Sequence, residues 1–282
     1  KTFVLVKNSL KELDFYLECS AYFPSNFPRI YSFEVEEDSE GDKVEIVYKF
    51  EKMVHIYNSK FKFSPKLFDL DDHRSLVLNL KLILDSMFNL HLLHSKIGII
   101  HRDISMTNIM YSSVDDMWKI HDFNLSLRAI HCKNPRESRV GTEGFVAPEI
   151  FSQGMYSEAS DIYSLGIVCD RLTYHLRKFI ILKQGEDCEV FRKLLLLDEI
   201  VNEMICENPS ERPSLEVLLE RVYKLLKNLL ISKPDDPIHK HRNVKSVEFM
   251  ISSKKFKETE EVEETEQVEE TEQVEEAKEV EK

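Results

Sequence analysis

The hydrophobic pattern changes its period near residue 52, and that change constrains the fold more than any other feature. Before it, apolar residues come in short β-type runs: TFVLVK at 2–7, RIYSFEV at 29–35 and KVEIVYKF at 43–50. The last two are separated by EEDSEGD, an acidic spacer carrying Gly41, which reads as a hairpin connection. Between the first two runs, LKELDFYLE has helical character. After Lys52, Leu76, Leu80, Ile83, Leu84 and Met87 recur on one face at helical spacing. Further helices are expected over 157–172 and 214–231, the second with Ser214 behind Pro213 as its N-cap. The chain therefore reads as α+β, with a small β-rich part followed by a larger helical one.

A chain of 282 residues with 42% hydrophobic content can bury a sizeable core. Its net charge of −13 is unevenly spread: residues 254–282 hold 13 Glu and 5 Lys, which accounts for −8. There VEETEQ occurs at 262–267 and 268–273, and VEEAKE follows. A valine every six residues lands on a new helix face each time, so no apolar stripe forms and the dense glutamates repel one another. Residues 254–282 are expected to be a disordered acidic tail, with a basic partner as the functional alternative. Nothing in the rest is basic enough for a nucleic-acid surface. The five cysteines (Cys19, Cys132, Cys169, Cys188, Cys206) make no C-x-x-C pair, so they read as reduced thiols of an intracellular, most simply cytoplasmic, protein. The richest apolar stretch, LVLNLKLILDSMFNLHLLH, is interrupted by Asn79, Lys81, Asp85 and Asn89, and no membrane span or signal peptide is expected.

Five short motifs then follow in order. His101-Arg102-Asp103 is followed five residues after the Asp by Asn108. His121-Asp122-Phe123-Asn124 comes next, then GTEGFVAPE at 141–149, DIYSLG at 161–166, and PSERP at 209–213. These resemble the H-R-D-x-x-x-x-N catalytic loop, the D-F-G metal-binding motif, the A-P-E segment, the D-x-W-S-x-G helix start and the late Arg-Pro motif of eukaryotic protein kinases. The resemblance covers roughly residues 1–232. It implies a two-lobed protein-kinase fold, with an incomplete N-lobe at 1–53, a helical C-lobe at 54–232, a linker at 233–253 and the tail.

The resemblance also implies roles. Asp103 would accept or orient the substrate hydroxyl proton, while Asn108 and Asp122 would hold Mg2+ against the phosphates of ATP. Val4-Leu5-Val6-Lys7 is similar to V-A-I-K, so Lys7 would grip the α- and β-phosphates. Glu18, ten residues before Pro28 of NFPRI, would be its partner. The alternative, held as the lesser one, is a solvated Lys and Glu on the surface. Tyr48 would be the gatekeeper, backbone groups of Lys49 and Glu51 would meet adenine, and Met110 would lie beneath the base. Arg102 would receive a phosphate on Ser138, three before Gly141. Thr142 marks the Ser/Thr type. Glu149 and Arg212 would form a buried ion pair, and Asp161 would anchor the catalytic-loop backbone.

Four departures qualify the resemblance. None of the seven glycines forms G-x-G-x-x-G, and the chain opens at Lys1 directly on TFVLVK, which reads as truncation ahead of this strand. Leu5 replaces the alanine that roofs the adenine. Asn124 replaces the D-F-G glycine, a mild change if the position is left-handed. Ser105 replaces the lysine that touches the γ-phosphate, so a hydroxyl stands in for a cation. Some fungal-type kinase-like proteins are similar in reading H-R-D-I-S. The expected function is ATP- and Mg2+-dependent transfer of the γ-phosphate to Ser or Thr of a protein substrate. The alternatives are a pseudokinase acting as a binding module, or a small-molecule phosphotransferase, against which the A-P-E segment and Arg212 argue.

Overall fold

The computed structural model describes residues 3–7, 10–37, 44–58, 62–63, 72–132, 139–186, 188–231 and 235–253. Within these ranges the side chains of 3–7, 35–37, 44–45, 48, 57–58, 62–63, 72 and 184 are not described. The expectations for Ser138, for the tail at 254–282 and for the side chains of Leu5, Lys7 and Tyr48 therefore lie outside the described residues.

The β-type runs form one antiparallel sheet. Strands β1 (Phe3–Lys7), β2 (Ile30–Glu37) and β3 (Val44–Phe50) lie in the order β1-β3-β2. The register sets Lys7 opposite Ile46, Leu5 opposite Tyr48 and Phe3 opposite Phe50. Between β1 and β2 runs helix α1 (Leu10–Tyr22). Its buried residues Glu12, Leu13, Phe15, Tyr16 and Cys19 recur at helical spacing and turn one face inward.

The larger part is built around helix α2 (Asp72–Leu92), which ends in a π-helical turn at Leu93–Ile97 closed by left-handed Gly98. Strands β4 (Met53–His55), β8 (Ile109–Ser112) and β9 (Met117–Ile120) form one small sheet in the order β4-β8-β9. Strands β5 (Tyr57–Asn58) and β6 (Lys62–Phe63) pair, as do β7 (Ile99–Ile100) and β10 (Leu127–Arg128). Helices α3 (Pro148–Ser152), α4 (Glu158–Gln184), α5 (Glu189–Met204) and α6 (Leu215–Leu230) complete it. Helix α4 runs well past the expected end at Leu172, and α5 was not legible in the pattern. Ser214 caps α6 as expected, its hydroxyl accepting the Val217 N–H.

Leu76, Leu80, Ile83, Leu84 and Met87 of α2 are fully buried, and each contributes about 1.5–3 kcal/mol of transfer free energy. The polar residues that interrupt the run are buried too, and they have work there. Lys81 Nζ donates to Asp85 and to the Asp116 carbonyl at 2.5 Å. Asp85 accepts the Trp118 N–H, while Asn89 donates to the Trp118 carbonyl and accepts from Asn26. One polar stripe thus fastens α2 to the β8–β9 hairpin and to the loop after α1. The helix His73–Ile97 does meet the length and hydropathy of a membrane span, contrary to expectation, because its apolar positions serve the core: 89% of that window is buried in the fold.

At the far end of α2, His91 Nδ1 lies 3.1 Å from Glu216 in the first turn of α6. That contact holds the Glu216 carboxyl down to about 2. A folded-state value below the unfolded one adds stability above about pH 4.5 that is lost as pH falls toward 2. Denaturant unfolding at pH 6 should therefore separate wild type from Glu216→Gln, and the difference should vanish by pH 2.

The described residues 237–253 belong to a separate unit. The stretch 233–253, expected as a linker, contains a 3-10 turn at Pro237–Lys240 and helix over 242–253.

Candidate active site

The loop joining β7 to β8 carries the first motif, and its backbone is pinned from below. Asp161, in the first turn of α4, accepts the N–H of His101 at 2.7 Å and that of Arg102 at 2.9 Å. The same carboxylate takes a bond from His94 Nε2 at 2.9 Å. These bonds hold Arg102 at φ +69°, a conformation that costs a non-glycine residue about 1 kcal/mol or more. Asp161 thus does what its resemblance implies. Gly141 is required beside it, since its φ is +122° and a Cβ there would stand 2.9 Å from the Arg102 carbonyl.

Asp103 is the next residue. One carboxylate oxygen accepts both the Thr142 N–H at 2.8 Å and the Thr142 hydroxyl at 2.6 Å. The other accepts Asn108 Nδ2 at 2.9 Å, which also bonds the Asp103 carbonyl. Asn108 thereby spends its amide nitrogen on Asp103, while its oxygen takes a long 3.5 Å bond from Thr107. An amide oxygen and a carboxylate are hard-oxygen donors of the kind Mg2+ takes. The β8–β9 pairing sets Asn108 beside His121, the residue before Asp122, with the His121 N–H on the Asn108 carbonyl at 3.0 Å.

Asp122 also sits left-handed, at φ +68°. Its N–H donates to the Tyr16 hydroxyl of α1 at 2.8 Å. Phe123 is fully buried against Tyr16, Phe27 and His101. The described left-handed position is therefore the aspartate; Asn124 does not share it, so the missing glycine removes no needed freedom. His101 Nδ1 accepts the Asp103 N–H, which leaves its Nε2–H to donate to the His121 carbonyl. Burial lowers the His101 pKa, in keeping with a neutral ring. Burial likewise lowers His121, to about 4, and its Nε2 meets the Thr107 carbonyl.

Several expected placements need correction. The Glu18 carboxylate grips the Arg128 guanidinium in β10, with Nη1 to Oε1 at 3.1 Å, and Arg128 also lies over Phe15. The fully buried carboxylate of α1 is Glu12, one helical turn before Tyr16. Glu51 is not at an open hinge. Its N–H bonds the Arg29 carbonyl, and its side chain is buried with Lys119 at 2.5 Å and Ser112 at 2.9 Å. Lys49 pairs with both β1 and β2, so its backbone is committed to the central strand, and its side chain meets Glu34 outside. Phe50 is the β3 ring that packs on Tyr16, at 5.0 Å. Ser105 is buried and bonds the Thr107 hydroxyl at 2.9 Å, so it is turned into the loop.

Met110 is buried in β8 opposite His55, as core. Arg102 stacks on the Tyr156 ring at 4.3 Å, and the Tyr156 hydroxyl bonds both backbone groups of Val140. Glu149 and Arg212 do form the buried pair, with both oxygens engaged at 2.7 and 2.8 Å. The guanidinium also donates to the carbonyls of Cys206, Ala159 and Glu207. All five of its N–H donors have an acceptor. Sequence reasoning missed Tyr16, Arg128 and Lys119, since a tyrosine, an arginine and a lysine within periodic segments carry no motif.

The family model for the protein kinase domain matches residues 79–250, more than half of the chain. Among similar proteins, Xenopus laevis Aurora kinase A-A is 26% identical over 190 residues, covering 63% of this chain and 44% of that protein. The Drosophila melanogaster membrane-associated tyrosine- and threonine-specific cdc2-inhibitory kinase is 31% identical over 150 residues, covering 49% of this chain and 27% of its own. The Dictyostelium discoideum protein named probable serine/threonine-protein kinase gdt2 is 31% identical over 147 residues, covering 46% of this chain and 9% of its own. The chain thus spans less than half the length of each of these relatives. The match to the protein kinase domain over more than half of its length shows that the chain belongs to the eukaryotic protein kinase family.

Proposed function

We propose that the protein transfers the γ-phosphate of ATP, with Mg2+, to Ser or Thr hydroxyls of protein substrates. The observation that carries this reading is the placement of Asp103, whose carboxylate is half-buried and oriented by Thr142 and Asn108. Phosphoryl transfer asks for positioning and charge stabilisation rather than covalent chemistry. Asp103 orients the acceptor hydroxyl and takes its proton. Asn108 and Asp122 hold Mg2+, which neutralises phosphate charge when bound. Thr142, the activation-segment residue that bonds Asp103, supports hydroxyl acceptors of the Ser/Thr type. Lys7 would contact the α- and β-phosphates of ATP. Phosphorylation of Ser138 and capture of a basic partner by the acidic tail complete the proposal.

A second reading, a nucleotide-binding pseudokinase, is favoured by Ser105. Its hydroxyl is committed to Thr107, so this loop position supplies no cation to the γ-phosphate. Thermal shift with ATP, with and without Mg2+, tests the shared part of both. A midpoint that rises only with both together is expected. No rise under any condition would remove ATP from the account.

A further inference from the structure

The segment that presents Asp122 is fastened residue by residue. His121 is fixed by its N–H on Asn108, its carbonyl on His101 and its ring on Thr107. Phe123 is fixed by burial of its whole ring. Asp122 itself lies between them in a left-handed conformation, with its carboxylate accepting the Asn124 N–H at 3.4 Å. An Asp adopts such a conformation more readily than most residues, but at a cost, and a neighbouring contact must hold it there. One such contact is the bond from its N–H to Tyr16.

Tyr16 is itself held rigidly. It is 1% exposed, and its ring stands edge-on to Phe50 at 5.0 Å and to Phe123 at 4.8 Å. Ring packing alone would be served by phenylalanine or leucine. Two turns of α1 bring the ring to this point, and only the hydroxyl reaches the backbone of Asp122. The same helix holds β10 through Glu18 and Arg128, six residues beyond Asp122, so α1 grips this stretch at both ends.

We propose that Tyr16 is a positioning residue for the metal-binding aspartate: its hydroxyl fixes the left-handed backbone of Asp122 and so aims the carboxylate at the Mg2+-nucleotide. This rests on the Mg2+-nucleotide reading of the site, and it makes the placement of α1 a condition for metal binding.

The test is Tyr16→Phe in the full chain, which keeps the ring and deletes one oxygen. Amide hydrogen exchange without nucleotide reads the backbone directly. Exchange over 120–125 should rise about tenfold, the effect of one lost buried hydrogen bond, while α1 stays as protected as in wild type. In a Mg2+ titration at constant ADP followed by thermal shift, the half-maximal Mg2+ concentration should rise by a similar about tenfold factor. Tyr16→Leu, which also lacks the hydroxyl, should give the same Mg2+ shift even if its packing loss lowers the unliganded midpoint further. Unchanged exchange over 120–125 in Tyr16→Phe would overturn the proposal, as would an unchanged Mg2+ midpoint. If wild type shows no Mg2+-dependent shift at all, the nucleotide reading fails. The exchange comparison then still decides whether the hydroxyl fixes Asp122.

Discussion

Asp103→Asn is expected to lower phosphate transfer by about 10²–10⁴-fold while leaving the melting midpoint near that of wild type. The substitution keeps the shape of the side chain but removes the acceptor of the substrate proton. It also turns one of the two acceptor oxygens into an NH2 group, which cannot receive both the Thr142 N–H and hydroxyl if it faces them. If the amide turns that group toward Asn108 instead, it meets another NH2 donor. Facing Asn108, the amide loses one bond, worth about 1 kcal/mol, and facing Thr142 it loses two, so the first rotamer is expected and the fold should survive where catalysis does not. Steady-state transfer rates and a thermal melt on the same preparation separate the two effects.

The largest expected effect on stability lies elsewhere, at Glu149 and Arg212. Neither side chain is more than 6% exposed, and among the described residues each is the other's charged partner. Arg212→Leu leaves a buried carboxylate without its counter-ion and frees the carbonyls of Cys206, Ala159 and Glu207 at once. Removing one member of such a pair costs about 3–5 kcal/mol. For a chain of this size that corresponds to a midpoint lowered by about 6–20 °C. Replacing both partners by apolar residues should cost less than either single change, because no buried charge is then stranded. A denaturation series on the two singles and the double checks the order.

The catalytic loop was legible because phosphate chemistry demands particular polar residues at fixed spacing. Asp103, Asn108, Asp122, Asp161, Glu149 and Arg212 all fall where that spacing sets them, and Thr142 joins them. The α+β order and the strands at 3–7, 30–37 and 44–50 were legible from period and residue type. The carboxylate of α1 was not. Glu12 and Glu18 are six residues apart, which on a helix sets them about 120° from one another. Distance along the chain from Pro28 cannot say which of them faces inward. The hinge was misread for a similar reason: nothing in VYKFEKM marks Phe50 as the last paired residue, so the open backbone was placed on Lys49, inside the ladder. Helix α5 escaped because LLLL blurs the period that exposes an amphipathic helix. Tyr16 escaped because an inward-facing tyrosine looks like core until its hydroxyl is seen on Asp122.

The central claim is that Asp103 and its neighbours form a competent phosphotransfer site despite Ser105. The most direct measurement is transfer of label from γ-labelled ATP to a general protein substrate, with Mg2+ present or chelated, followed by phosphoamino-acid analysis. The account predicts phosphoserine or phosphothreonine that disappears on chelation and in Asp103→Asn. A wild-type protein whose melting midpoint rises with Mg2+ and ATP, yet which transfers no label, would contradict it and leave the pseudokinase reading in its place.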